Sequence, residues 1–314
     1  MYHIIINPVG GKGESAKALE KVTSLLDSKG VEYEVHKTER VNHAAEIARE
    51  LSKAPGTDII AMGGDGSFHE VLCGIENFEN VTLGLIACGS GNDFIKYYGK
   101  AEDFLDIESL VSGVDHRIDI MKVCGRYSVN VVHFGFDTAV LKTMQKVKRK
   151  RIIGGKNAYT TGVVTAFLNG MKTECKITVD GKRVGKEKLL LGTVANGKYV
   201  GGAYMCAPKS LNDDGLAEVC IINPVSRFKF LTLIKTYAVG RYLDDKRFDK
   251  IVNYCRGNII ELEAKDGFYV SIDGELTESS HVKVEVVPKA VNFAIPYKLA
   301  AKLGIDKERE SVVC

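Results

Sequence analysis

Three glycine-rich turns stand where strand signals end: Gly10-Gly11-Lys12-Gly13, Gly63-Gly64-Asp65-Gly66-Ser67 and Gly89-Ser90-Gly91-Asn92-Asp93. Backbone without Cβ atoms approaches an anion closely, and the helix that follows offers unpaired amides and a favourable dipole. One such turn is what any tight strand-to-helix connection requires; three at the same sheet edge point to bound phosphate. The spacing Gly-x-x-x-x-Gly-Lys-Ser/Thr is absent, as is the spaced-glycine dinucleotide fingerprint, so neither of the commonest devices is in use. Ser67-Phe68-His69-Glu70 fits a capping box at a helix start. Farther on, Asp273 and Glu275 lie two apart. On an extended segment both would point the same way, and an acid there can accept a hydroxyl proton. Asp273-Gly274 is equally a strong hairpin signal. Asn212-Asp213-Asp214-Gly215 lacks the alternating acids of a calcium loop and reads either as a plain β-turn or as a metal site.

These residues need elements to hold them. Up to about residue 120, strand and helix signals alternate: His3–Ile6, then Leu19, Val22, Leu25 and Leu26 at helical spacing with Gly30 as the stop, then Val31, Tyr33 and Val35. A helix follows through Ala44–Leu51, then strands at Asp58–Met62 and Val81–Ala87. That alternation predicts a parallel sheet with helices on both faces, and such sheets bind ligands outside the carboxyl ends of their strands. Beyond residue 120 the reading is largely β: Arg126–Phe134, Cys175–Val179, Leu189–Ala195, Ala217–Ile222, Asn258–Glu263, Phe268–Ile272 and Val282–Val287. Turns such as Asp180-Gly181, Asp214-Gly215 and Asp273-Gly274 join them, with helices near 137–149, 157–171 and 227–242. The fold class expected is α/β plus β. An α/β domain over 1–122, with the tail at 291–314 expected to join it, precedes an antiparallel β-sandwich over 123–290.

A chain of 314 residues suits two domains. A net charge of +3 is too mild for a nucleic-acid partner, and no apolar run approaches the roughly 18–20 residues needed to cross a bilayer. Nothing near residue 1 resembles a secretory signal, since the apolar stretch His3–Ile6 ends at Asn7-Pro8. The eight cysteines form no Cys-x-x-Cys pair, so free thiols in a reducing cytoplasm are expected.

Gly63-Gly64-Asp65-Gly66-Ser67 resembles the Gly-Gly-Asp-Gly-Thr signature shared by diacylglycerol, sphingosine and NAD kinases. Asn7-Pro8-Val9-Gly10-Gly11, Gly89-Ser90-Gly91-Asn92-Asp93-Phe94 and Gly135-Phe136-Asp137 resemble the lipid-kinase branch. So do Asn196-Gly197 with Gly201-Gly202, Ala207-Pro208-Lys209, Asp214-Gly215-Leu216 and Ile272-Asp273-Gly274-Glu275. In this order, from about residue 2 to 295, the chain resembles the soluble bacterial diacylglycerol-kinase-like lipid kinases.

The resemblance implies an ATP- and Mg²⁺-dependent kinase that phosphorylates a lipid hydroxyl, with diacylglycerol giving phosphatidic acid, in a cleft between the two domains. It implies a nucleotide site at Asn7, Gly10, Gly11, Thr38, Gly63, Gly64, Asp65, Gly66, Ser67, Glu70, Ser90 and Asn92. Asp65, Asp93 and Asp119 would hold the catalytic Mg²⁺ through water. Leu211, Asp214 and Leu216 would form a structural Mg²⁺ site, and Asp273 and Glu275 would stand at the reacting hydroxyl. Ser67 and Ser90 replace the usual threonines, His69 stands in place of asparagine, and Ala87-Cys88 in place of a Pro-hydrophobic pair. Two alternatives stay open: an NAD-kinase-like enzyme with a soluble substrate, and a catalytically silent nucleotide- or lipid-binding regulator. A homodimer stays open as well.

A cytoplasmic enzyme with a bilayer substrate needs a surface for transient docking at the inner face of the membrane. Lys142, Lys146, Lys148, Arg149, Lys150 and Arg151 form one cationic candidate within 142–151, at ~1 kcal/mol per charge near anionic lipid. The helix over 227–242 is the other: Arg227-Phe228-Lys229-Phe230-Leu231, then Tyr237, Arg241 and Tyr242, combines basic and aromatic residues.

Overall fold

The computed structural model describes residues 1–8, 10–136, 138–142 and 172–305, with Gly11 and Lys12 as backbone only. The chain divides into two compact units, Met1–Ile120 together with the chain from Pro288 onward, and Met121–Val287.

In the first unit the apolar runs form strands β1 (Tyr2–Ile6), β2 (Tyr33–Lys37), β3 (Thr57–Gly63) and β4 (Val81–Ala87). Helices α1 (Glu14–Ser28), α2 (His43–Leu51), α3 (Asp65–Gly74) and α4 (Ile107–Val111) lie between and after them. Helix α1 buries Val22 and Leu26, four apart, and is stopped past its Lys29 cap by Gly30 at φ +64°. The strands pair parallel in the order β4-β3-β1-β2. A late strand adds to the β4 edge through Asn292 and Phe293. One face packs Ile4, Ile6, Met62 and Ile86 against Val22, Leu26 and Leu110. Elsewhere in the unit Phe68, Phe94, Tyr98, Phe104 and Phe293 form an aromatic cluster. Phe68 stacks on Phe94 at 5.1 Å and Phe293 meets Phe94 edge-on at 5.1 Å. Such pairs add ~0.5–1.5 kcal/mol beyond their buried area.

The capping box expected at Ser67–Glu70 does not form. Helix α3 starts directly after Gly64 with no side-chain cap, which puts Ser67 inside the first turn. Glu70 instead accepts the Ala44 amide at 3.0 Å, satisfying an otherwise unpaired donor at the start of α2.

The second unit is antiparallel. Its strands are β6 (Arg126–Ser128), β7 (Val131–Gly135), β8 (Lys176–Val179), β9 (Leu191–Ala195), β10 (Ala217–Ile222), β11 (Val252–Gly257), β12 (Ile259–Ile272) and β13 (Glu275–Ile295), with helix α5 (Arg227–Ala238) between β10 and β11. Strand β5 (Val114–Val123) and strand β13 each begin in one unit and end in the other. Pairing runs β11-β10-β9-β7-β12-β13, and β8 joins β12. Strands β7, β9 and β10 are buried at every position. Val132, Phe134, Val194, Val219 and Ile221 face one core, while Val131, Leu191, Ala195, Cys220 and Ile222 face another that includes Leu233 and Tyr237 of α5. The period-2 alternation of side chains explains why these strands read as unbroken apolar runs.

Several boundaries differ from expectation. Arg126–Phe134 is two strands, broken at Val129-Asn130. Asn258–Glu263 and Phe268–Ile272 are one strand, which shifts register between Glu263 and Phe268 around Gly267 at φ +73°. Val282–Val287 is the middle of β13, a strand of 21 residues. The tail helix α6 (Tyr297–Leu303) packs in the first unit, where Lys298 donates from its amide to Ser109 Oγ and pairs with Asp106 at 2.7 Å. The helix expected over 157–171, and all but residues 138–142 of the one near 137–149, lie outside the described residues. Among those described, no helix is long and apolar enough to cross a membrane.

Candidate functional site

Strands β3 and β4 are parallel neighbours in register, Gly63 beside Ala87, so the turns at their carboxyl ends meet. A Cβ on Gly64 would lie 2.9 Å from Gly89 Cα, and one on Gly89 would strike Gly64 Cα in return. Only glycine at both places lets the two loops touch. Asn92 sits at φ +49° and donates from Nδ2 to Gly89 O at 2.8 Å, which folds the second turn back on itself. Its Oδ1 is buried with no hydrogen-bond partner among the described residues. A Cβ on Gly66 would meet nothing within 4 Å, so this glycine leaves open space instead of permitting a close approach.

The contact brings two acids to one place. The point where a Cβ on Gly91 would stand lies 2.9 Å from Asp65 Oδ2 and 3.9 Å from Asp93 Oδ2. Asp65 Oδ1 also accepts the Phe94 amide at 3.3 Å, and Asp93 Oδ1 pairs with Lys96 at 2.6 Å. Asp119 is fully buried on β5 and accepts the Lys289 amide at 2.7 Å. Carboxylates arranged this way suit Mg²⁺, a hard ion that keeps several of its waters, and Asp65 and Asp93 are the pair placed to hold such waters.

The first turn is built separately. Gly10 N donates to Asn7 O at 3.0 Å, and a Cβ on Gly10 would lie 3.1 Å from Ser15 Oγ, a fully buried hydroxyl. Thr38 ends β2 with its amide on Ile6 O at 2.9 Å. Ser90 is exposed, and Ser67 lies against Gly63, where a Cβ would clash with it.

In the second unit, Asp273 and Glu275 do not lie on one extended segment. Ile272 pairs with Glu275, and Asp273 at φ +46° with Gly274 at φ +97° forms a two-residue hairpin between β12 and β13. Their side chains therefore have different tasks. Both oxygens of Asp273 are engaged: Oδ1 accepts from Ser128 Oγ at 2.7 Å, Asn130 N at 3.2 Å and Val131 N at 2.8 Å, and Oδ2 accepts from Val129 N at 2.9 Å. This carboxylate holds the break between β6 and β7. The side chain of Glu275 is exposed and makes no hydrogen bond or ion pair with another described residue, so its oxygens are open to solvent.

Sequence reading singled out Asn196-Gly197 but missed Asn130, which ties that turn to this hairpin. Asn130 donates to Tyr199 O at 3.0 Å, and its own carbonyl accepts the amides of Asn196 and Gly197 at 2.9 and 2.8 Å. Asn196 donates to Val129 O at 3.0 Å. The Asn196-Gly197 turn thus packs on the turn that Asp273 holds, with the half-buried Lys198 next in sequence. Burial lowers the Lys198 pKa below the ordinary lysine value. The signal for Asn130 was a polar residue inside an apolar run.

At the structural Mg²⁺ site expected at Leu211, Asp214 and Leu216, the acid stands in an ion pair. The Arg256 guanidinium already sits on Asp214 Oδ2, and it reaches Glu218 at 2.7 Å from its other side. Asp214 Oδ1 accepts the Leu216 amide at 3.1 Å, closing the turn, and Leu211 is exposed. Arg256 stands opposite Glu218 in the β10–β11 register, so the sheet itself delivers the counter-charge. Glu218 is 1% exposed, and its burial raises its pKa above the usual carboxylate range.

Of the cationic cluster, only Lys142 is described. Its ammonium stands 3.8 Å over the Tyr269 ring, and the other five basic residues lie outside the described part. Helix α5 buries Leu233 and Tyr237 but leaves Phe228 79% and Leu231 59% exposed, beside the exposed Arg227, Lys229 and Lys235.

The paired glycine turns and the two acids of the parallel unit suit a phosphotransferase with an alcohol acceptor. Family comparison agrees. Residues 1–123 match the diacylglycerol kinase catalytic domain, and residues 130–295 match the YegS C-terminal NAD kinase beta sandwich-like domain. The diacylglycerol kinase of Bacillus subtilis (strain 168) is 30% identical over 277 residues, which is 87% of this chain and 88% of that one. The chain belongs to the diacylglycerol kinase family. Its fold is shared by the crystal structure of a diacylglycerol kinase from Bacillus anthracis str. Sterne, with TM-score 0.71 and 19% identity over 95% of this chain and 97% of that one. An NAD kinase from Archaeoglobus fulgidus is more distant, at TM-score 0.50 and 14% identity over 97% of each chain.

Proposed function

We propose that this chain transfers the γ-phosphoryl group of ATP, with Mg²⁺, to a lipid hydroxyl, and that diacylglycerol is the acceptor. The observation that carries the reading is the contact between Gly64 and Gly89, which sets Asp65 beside Asp93 at the ends of two parallel strands. Phosphoryl transfer asks for positioning and charge neutralisation more than for covalent chemistry. The amides of the glycine turns would hold the phosphates, and Asp65 and Asp93 would orient the waters of a bound Mg²⁺. The ion, when bound, neutralises charge on the phosphoryl oxygens. Glu275 would accept the proton of the attacking hydroxyl. Kinship to the diacylglycerol kinase of Bacillus subtilis supports the choice of acceptor.

The test is transfer of label from γ-labelled ATP to a panel of diacylglycerol, monoacylglycerol, undecaprenol, sphingosine and NAD. Label in diacylglycerol, dependent on Mg²⁺, is the expected result. Label in NAD alone, or in nothing, would overturn it.

The docking surface of this enzyme is assigned to α5, because Phe228 and Leu231 are exposed among Arg227, Lys229 and Lys235. Exposed aromatic and aliphatic side chains flanked by cations suit an anionic bilayer surface. Replacing both Phe228 and Leu231 by serine should cut sedimentation with phosphatidylglycerol vesicles about tenfold, the loss of roughly 1.4 kcal/mol. Transfer to a short-chain, water-dispersed acceptor should hardly change. Unaltered vesicle binding would remove α5 from this role.

A further inference from the structure

Strand β2 is the outer strand of the parallel sheet, and its register on β1 places Glu34 beside His3 and His36 beside Ile5. Residues two apart on a strand share a face, as do partners across a pair. His3, Glu34 and His36 therefore stand together on one face, opposite the one on which Ile4, Ile6 and Val35 enter the core. Nothing in the proposed phosphoryl transfer uses them.

Their donor atoms form a near-regular triangle. His3 Nδ1 lies 3.1 Å from His36 Nε2, and Glu34 Oε2 lies 3.6 Å from the first and 3.8 Å from the second. An ion bound tetrahedrally at ~2.1 Å from each donor would set the donors about 3.4 Å apart. A hydrogen bond between the two imidazoles accounts for one side of this triangle; it does not account for a carboxylate oxygen near both. The imidazoles are sheltered, at 12% and 18% side-chain exposure, while Glu34 at 57% leaves an open side. Asp58 as well as Glu34 acts on His3, and the two carboxylates add the negative charge that draws a cation. Among the described residues, this is the one group of three such side chains close enough to hold a single ion.

We propose that His3, Glu34 and His36 bind a divalent transition metal ion of the Zn²⁺ class, through two imidazoles and one carboxylate, with the fourth position open to water. Imidazole-rich sets prefer Zn²⁺ and its neighbours over Mg²⁺, so this ion is distinct from the one that serves phosphoryl transfer. Because the ligands come from two strands, the ion ties the edge strand β2 to β1. An ion that binds only the folded chain raises its stability by mass action.

The experiment uses the full chain without a histidine tag. Zn²⁺ is titrated calorimetrically, Co²⁺ is followed by visible absorption, and thermal unfolding is recorded with Zn²⁺, with Mg²⁺ and with chelator. Expected are one saturable Zn²⁺ site, tetrahedral Co²⁺ bands, and a rise in Tm with Zn²⁺ that Mg²⁺ does not reproduce. His36→Phe and Glu34→Gln, with unchanged circular dichroism, should each weaken Zn²⁺ binding tenfold or more and remove the Tm shift. Absence of saturable binding, or equal binding by wild type and both variants, would overturn the proposal and leave a hydrogen-bonded histidine pair.

Discussion

Glu275→Gln should lower kcat for lipid phosphorylation about 10²–10⁴-fold, the range for a lost general base, while Tm stays within experimental error. The glutamate is the first residue of β13, exposed, and holds no other described residue in place. Glutamine keeps its size and one acceptor oxygen but cannot take a proton. Because no fold contact is lost, the whole effect belongs to the chemical step, and KM for ATP should move little. The check is steady-state kinetics beside thermal unfolding of the same preparation. Activity within threefold of wild type would remove Glu275 as the base.

Asp273→Ala should have the opposite signature, falling on stability first. It removes the acceptors of one buried hydroxyl and three main-chain amides at Ser128, Val129, Asn130 and Val131. An unsatisfied buried donor costs ~1–3 kcal/mol, and water admitted by the smaller side chain offsets part of the sum, so a loss of about 3 kcal/mol is expected. In a protein of this size that lowers Tm by roughly 6–12 °C. Asp273→Asn should be milder, since one oxygen remains, but it turns an NH₂ group toward amides that need an acceptor. Activity should fall in step with the folded fraction and with the ordering of the Asn196-Gly197 turn. An Asp273→Ala protein of unchanged Tm and abolished kcat would instead place this acid in the chemistry beside Glu275.

The two residues were read together because they lie two apart and because the family motif carries both. Their separation was not legible in the sequence. It rests on left-handed backbone at Asp273 and Gly274, which turns one carboxylate back onto the β6–β7 break and leaves the other outside. A similar limit applies at Asp214. An acid in a polar turn reads equally as a cation ligand or as half of an ion pair, and only the β10–β11 register, which sets Arg256 opposite Glu218, brings the guanidinium to it. Glu70 was legible as a helix cap, but the helix it caps is α2, not its own.

Local chemistry was enough for the rest. Apolar periodicity places β1 to β4 and helices α1 and α2, because burial of a stripe or a face imposes that period along the chain. Glycine clusters mark the turns where backbone must come close. What a sequence determines by itself is thus whatever depends on near neighbours: element type, turn chemistry, and the set of residue types available for phosphoryl transfer. Which side chains meet is a matter of strand register and of contacts between residues far apart in the chain. Those contacts set Gly64 on Gly89, Asp273 under the Ser128–Val131 turn, and His3 beside Glu34 and His36. They depend on how whole elements pack, and no local period records that.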